Sequence, residues 1–196
     1  MGSGSGLSAC KADGSYPAAG YRLLATGASY LLKPGMKLLH IAPERNLQRV
    51  IKKKGVEYFS ADLGSPLAEI KMDIHNIPFT DAYFDAIICN HVLEHIHDDL
   101  NVMKEIHRVL KKDGWAILQV PYSPILGQTF ENASVTSAKQ REIVFGQHDH
   151  VRIYGLDYPR RLESAGFSVA KEKVAAESTA KFALNPLEEI FFCKPR

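Results

Sequence analysis

The stretch F-D-A-I-I-C-N-H-V-L-E-H-I (84 to 96), followed by E-I-H-R-V-L-K-K-D-G-W-A-I-L (105 to 118), decides the fold. Ala86 to Cys89 is a continuous apolar run, the pattern of a strand buried on both faces. Asp98 and Asp99 can cap a helix whose one face carries Val102, Met103, Ile106, Val109 and Leu110, with Gly114 at its end. Trp115 to Val120 then reads as the next buried strand. Strand, helix, strand in this rhythm implies crossover units and a mostly parallel sheet.

Working outward, the same rhythm continues. Toward the N-terminus, apolar residues recur at helical spacing from Tyr21 to Leu32, and Pro34-Gly35 stops them. Lys37 to Ala42 reads as a strand, Leu47 to Lys54 as a helix capped by Gly55, and Val56 to Ala61 as a second strand ending at Asp62. A short third strand is placed near Ile70 to Asp73. Toward the C-terminus, a long polar stretch from Pro121 to Gly155 precedes a helix opened by Asp157-Tyr158-Pro159 and closed by Gly166. Ser168 to Ala175 and Glu189 to Cys193 read as two last strands with no obvious helix between them.

With 196 residues the chain fits a single domain, here 7–196, after a linker or disordered tip at 1–6. Hydrophobic residues at 45% and charged residues at 23% match an ordinary globular protein. A net charge of +2 gives no field that would select nucleic acid, and no apolar run approaches the roughly 20 residues of a membrane span. Cys10, Cys89 and Cys193 are far apart and odd in number, which argues against a disulfide framework and for a reducing, cytoplasmic setting. Oligomeric state is not legible.

Parallel sheets bind ligands beyond the carboxyl ends of their strands. Those ends carry His40 to Glu44, Asp62, Asp73, and Asn90-His91. Most loop aspartates are caps or turn residues, but two at successive strand ends suit an adenosine, whose ribose diol and exocyclic amine both need acceptors. The first loop, His40-Ile41-Ala42-Pro43-Glu44-Arg45-Asn46, contains no glycine to admit a pyrophosphate, and Glu44 would repel one. S-adenosylmethionine carries a sulfonium and an ammonium instead, so the acid becomes an asset.

These segments, K-L-L-H-I-A-P-E (37 to 44), Y-F-S-A-D-L (58 to 63), M-D-I-H-N-I-P-F (72 to 79) and the two quoted at the outset, with L-E-S-A-G-F (162 to 167), occur in order. Together they resemble a class I S-adenosylmethionine-dependent methyltransferase of the methyltransferase type 11 group, over residues 37 to 170. The resemblance implies a Rossmann-like, doubly wound α/β sheet of about seven strands with a C-terminal antiparallel strand. It also implies a helical cap at 7–36 and a substrate lid at 121–155.

Carried over by position, the resemblance assigns His40, Ala42, Pro43 and Glu44 to the donor, S-adenosylmethionine, whose product is S-adenosylhomocysteine. Asp62 with Leu63 falls to the ribose, Asp73 with Ile74 to the adenine, and Asn90 and His91 to the methionine part and the methyl group. The family's first loop reads D-x-G-x-G-x-G. Here His40 stands for the Asp, Ala42 for the first Gly and Glu44 for the second. Ala42 is expected to keep ordinary backbone angles and so to divert the loop.

His91 and His150 are the candidate catalytic groups, His91 first because its titration range suits a base. His95, His148, Arg152 and Tyr154 are assigned to the acceptor, Arg152 as a holder of carboxylate or phosphate. An extended backbone would place His150, Arg152 and Tyr154 on one side. The order His91-Val92-Leu93-Glu94-His95 is not the zinc protease signature, so no metal site is expected. The reading is methyl transfer to oxygen or nitrogen of a small-molecule or saccharide-type acceptor. The glycine-free loop motivates a second one, a cofactor-binding interaction module without catalysis.

Overall fold

The structure, a computed structural model, describes residues 31–173 and 189–196. The tip at 1–6, most of the 7–36 cap with its helix, and the segment between the last two strands lie outside the described residues.

In chain order the elements are β1 (Lys37–Ile41), α1 (Arg45–Lys52), β2 (Glu57–Asp62), β3 (Ile70–Lys71) and β4 (Phe84–Asn90). A single 3-10 turn (Leu93–His95) leads to α2 (Asp99–Val109) and β5 (Leu110–Gln119). Then come β6 (Phe130–Glu131), α3 (Ala138–Phe145), β7 (Arg152–Ile153), α4 (Tyr158–Ser164), β8 (Phe167–Lys173) and β9 (Glu189–Pro195).

Seven strands form one sheet in the order β3-β2-β1-β4-β5-β9-β8. Pairing is parallel from β3 through β5, and β9 runs antiparallel to both of its neighbours. This is the expected doubly wound α/β architecture with one C-terminal antiparallel strand. Period-two alternation sorts the core to two faces. Leu38, Ala86, Ile88 and Ile117 join Leu47 and Ile51 of α1 on one face. Leu39, Ile87, Cys89 and Leu118 meet Val102, Met103 and Ile106 of α2 on the other. Both faces are covered, which is why β4 reads as an unbroken apolar run.

Asp98 caps α2 by accepting from the Asn101 amide at 3.2 Å. The helix ends at Val109, five residues before the Gly114 that the pattern marked as its end. Leu110 is already extended and buried, and the β5 register against β4 shifts between Phe84 and Ala86. Gly114 serves that irregularity. A Cβ there would lie 2.8 Å from the Asp85 carbonyl oxygen, so the strands can approach only without a side chain.

The stretch 121–155 is more ordered than its composition implies. β6 and β7 pair antiparallel, and Ser137 with Gln140 forms a reciprocal cap that starts α3. Among the described residues no helix is long and apolar enough to cross a membrane.

Candidate functional site

Sheet order reverses at β1: β2 and β3 lie on one side of it, β4 and β5 on the other. The loops leaving β1 and β4 therefore diverge and open a crevice at their carboxyl ends.

On the β1 side, His40 is fully buried. Its Nε2 lies 2.7 Å from Glu44 Oε2 and its Nδ1 lies 2.8 Å from the Tyr58 hydroxyl. Burial pushes the Tyr58 hydroxyl pKa up, so the phenol stays protonated and donates to Nδ1, while Nε2–H donates to Glu44. Glu44 Oε1 accepts from Asn90 Nδ2 at 3.1 Å. One carboxylate thus ties the first loop to the end of β4. His40, assigned to the donor, sits behind Glu44 and reaches a ligand only through it. Pro43 is buried as well.

Ala42 does not keep ordinary angles. Its φ is 50°, the left-handed region that a glycine would occupy, so the loop is not diverted as the sequence suggested. The Ala42 amide donates to the Ala61 carbonyl at 2.9 Å, and together with the Glu44 tether this holds a conformation costing about 1–2 kcal/mol. The histidine and the glutamate that stand where the resembled family carries an acid and a glycine are partners. The carboxylate has moved four residues along the chain, and the imidazole orients it.

Asp62 closes β2. Its Oδ1 accepts from the Gly64 and Ser65 amides at 2.7 and 2.6 Å, which leaves Oδ2 for a ligand. A cavity of about 210 Å³ opens beside it, lined by Asp62, Leu63, Gly64, Ser65, Ile70 and Lys71. Leu63 is 65% exposed, an apolar side chain without cover. Beyond β3, Asp73 is exposed, and its Oδ1 accepts from the amide and the ring of His75. The His75 amide, then its ring, holds the Asp73 carboxyl below the usual range. Ile74 is turned into the core with Met72 and Ile77.

At the end of β4, Asn90 Oδ1 is buried and has no hydrogen-bond partner among the described residues. His91 has φ 54°, a left-handed backbone conformation uncommon outside glycine. It is about one-third exposed, and its Nδ1 lies 3.5 Å from Glu94 Oε1. Glu94 is 2% exposed, and its Oε2 has no hydrogen-bond partner among the described residues. Sequence reasoning gave Glu94 no role; the signal was a carboxylate inside an apolar run, Val92-Leu93-Glu94. The His95 ring packs edge-on against His150 at 4.8 Å, and its Nδ1 faces Asp149 Oδ2 at 3.3 Å. Burial pushes the His150 pKa below its ordinary value. Histidines expected to hold no metal therefore converge with a buried glutamate.

The other acceptor residues separate. His148 is exposed at the rim. Arg152 and Tyr154 face inward with His150, as the extended backbone implied, but they enter the core rather than an open pocket. The Arg152 guanidinium pairs with Asp99 at 3.0 Å and Glu131 at 3.1 Å. The Tyr154 hydroxyl donates to Asp99 at 2.8 Å. Arg161 adds a second cation on Asp99 at 2.7 Å. Arg152, assigned to hold an acceptor's anion, already serves two carboxylates of its own chain.

Comparison with known proteins agrees with this layout. Residues 24–118 match the family described as a methyltransferase domain. No curated protein sequence matches the chain. Among solved structures, the Burkholderia thailandensis 1,6-didemethyltoxoflavin-N1-methyltransferase, with 1,6-didemethyltoxoflavin and S-adenosylhomocysteine bound, is similar. It has 16% identity and a TM-score of 0.64, covering 91% of this chain and 79% of that one. An S-adenosylmethionine-dependent methyltransferase from Mesorhizobium loti aligns at 13% identity, TM-score 0.62, covering 92% and 99%. The [4+2]-cyclase SpnF aligns at 15% identity, TM-score 0.63, covering 89% and 82%. Sheet order agrees with the fold of these solved structures, and the match to the methyltransferase domain spans 95 of the 196 residues, just under half of the chain.

Proposed function

We propose that the chain transfers a methyl group from S-adenosylmethionine, bound in the crevice between β1 and β4, to an oxygen or nitrogen of a small-molecule or saccharide-type acceptor. The observation that carries this reading is the Glu44–Asn90 tether, with a buried Asn90 Oδ1 that has no donor among the described residues. A carboxylate and an orphaned carbonyl oxygen at one strand end suit an ammonium and a sulfonium, and they oppose a phosphate.

When bound, the cofactor supplies a methyl carbon on a sulfur that is already a good leaving group. Asp62 Oδ2 would hold the ribose hydroxyls, with Leu63 beside it in the cavity. Asp73 would accept from the adenine amine, with Ile74 buried beneath. His91 faces the acceptor and takes its proton, and Glu94 Oε1 behind it favours the imidazolium that results. His150, His95 and His148 flank that position from the 3-10 turn and the 121–155 stretch, the candidate lid. The Burkholderia relative, with its small molecule and S-adenosylhomocysteine, supports this acceptor class. The small net charge supports a small molecule over nucleic acid.

The test is thermal. S-adenosylhomocysteine at a hundredfold excess over Kd should raise Tm by about 5–10 °C, and Asp62→Ala should remove most of that rise. No rise at saturating ligand sinks the proposal; full affinity in Asp62→Ala sinks the ribose assignment.

A further inference from the structure

Glu94, His95 and His150 each offer one ligand atom, and these atoms all lie within 4.8 Å of one another. They come from two chain segments, the 3-10 turn after β4 and the residues before β7, joined by a hydrogen bond from the Val151 amide to the Glu94 carbonyl at 2.9 Å. Proximity alone would be weak evidence. The second observation concerns Glu94: its side chain is 98% buried, and its Oε2 has no donor among the described residues. A buried carboxylate left in that state is costly, and a bound cation is the ordinary compensation.

The two imidazoles are also oriented as ligands are. Metal-bound histidines characteristically direct the second ring nitrogen to a carboxylate or a backbone carbonyl. His95 Nδ1 faces Asp149 Oδ2 at 3.3 Å, which leaves Nε2 outward. The His150 ring lies against the Phe145 backbone, a weaker contact of the same kind. Ligand atoms about 2.1 Å from one centre stand roughly 3.4 Å apart, so an ion would draw the set, now within 4.8 Å, together by at most about 1.4 Å, within reach of rotamer adjustment.

We propose that Glu94 Oε2, His95 and His150 bind one divalent first-row transition metal ion, with an open position for the hydroxyl oxygen of the methyl acceptor. Two imidazoles and one carboxylate suit zinc, iron(II), cobalt(II) or manganese(II) and leave coordination free for a fourth ligand. His91 stays outside the ligand set, with Nδ1 toward Glu94 Oε1, and acts as the base. The ion makes the hydroxyl more acidic. The acceptor O–H gives its proton to His91, and the oxygen bonds to the methyl carbon. The carbon–sulfur bond breaks with its electron pair going to sulfur, which becomes neutral. The substrate class, an oxygen rather than a nitrogen acceptor, rests on the methyl-transfer reading; the ion site does not.

The test uses full-length protein purified without nickel affinity and stripped with chelator. Titration calorimetry with Zn²⁺ and with Mn²⁺, and the visible spectrum on adding Co²⁺, should give one ion per chain with a tetrahedral or five-coordinate cobalt signature. Glu94→Gln and His150→Asn, each checked for folding by circular dichroism, should weaken binding on the order of 100-fold. No saturable binding by the unsubstituted protein overturns the site, as does unchanged affinity in both folded variants. The Tm shift with S-adenosylhomocysteine is measured in parallel on stripped protein. A shift without metal binding sinks the ion site and leaves methyl transfer standing. Metal binding without the shift supports the ion site and removes the acceptor assignment.

Discussion

Arg152 and Asp99 form an ion pair at 3.0 Å in which each side chain is 2% exposed. The pair fastens β7, from the stretch before α4, to the first turn of α2. Removing Arg152 leaves the buried Asp99 with one guanidinium, that of Arg161, instead of two, and strips the Leu93 and His97 carbonyls of a donor. Arg152→Met should therefore cost about 3 kcal/mol in urea unfolding. A rise in acceptor KM with unchanged stability would instead restore Arg152 to the substrate side.

Ala42 at φ 50° invites the opposite outcome. Glycine relieves about 1–2 kcal/mol of left-handed strain and loses about 0.5–1 kcal/mol in unfolded-chain entropy. Ala42→Gly should thus stabilise the fold by about 0.5–1 kcal/mol, read from the urea midpoint at constant m-value. A loss of stability would show that the loop is not held in this conformation.

Acid dependence follows from Glu105. Arg108 holds its carboxyl well below the usual range, through 2.8 Å contacts from Nε and Nη2, with the Ile77 amide adding a third donor at 3.1 Å. A carboxylate depressed in the folded state stabilises fully above its unfolded pKa, about 4.3, and this is lost as pH falls through the lower folded value. The stability difference between the unsubstituted protein and Glu105→Gln should be flat from pH 7 to about 5 and shrink below about 4. A difference that grew on acidification would contradict the assignment.

Cys89 and Cys193 are fully buried free thiols, and burial pushes both pKa values up. Thiolates are the reactive form, so both should resist Ellman's reagent until the chain unfolds. Guanidinium should release at least two additional thiols; full reaction of all cysteines in the native protein would refute their placement.

The sheet was legible because its code is local. Alternation and unbroken apolar runs mark β1, β4 and β5, and turn residues separate them. The Asp62 and Asp73 strand ends followed from the same reading. What escaped depends on pairing across the fold. Gly114 looked like a helix stop because its real constraint, the Asp85 carbonyl, lies on another strand. Ala42 looked ordinary because the tether that holds its φ positive comes from Asn90, 46 residues beyond Glu44. Arg152 looked like an anion holder because Asp99, which claims it, is 53 positions away. Glu94 was invisible as a ligand until His150 was seen beside it. The His40–Glu44 pair alone carried a local clue, a histidine and an acid four residues apart.

The position of β9 also governs how the molecule is assembled. Among the described residues β8 pairs with the main sheet by way of β9, which follows it in the chain and lies between β5 and β8. On the ribosome, β1 to β5 can zip together before β9 is made, while α4 already docks through Tyr158 on β5 and Arg161 on α2. A nascent chain stalled before Glu189 would leave β8 an unpaired ribbon beside an anchored helix, an opening for proteases that the finished sheet denies them.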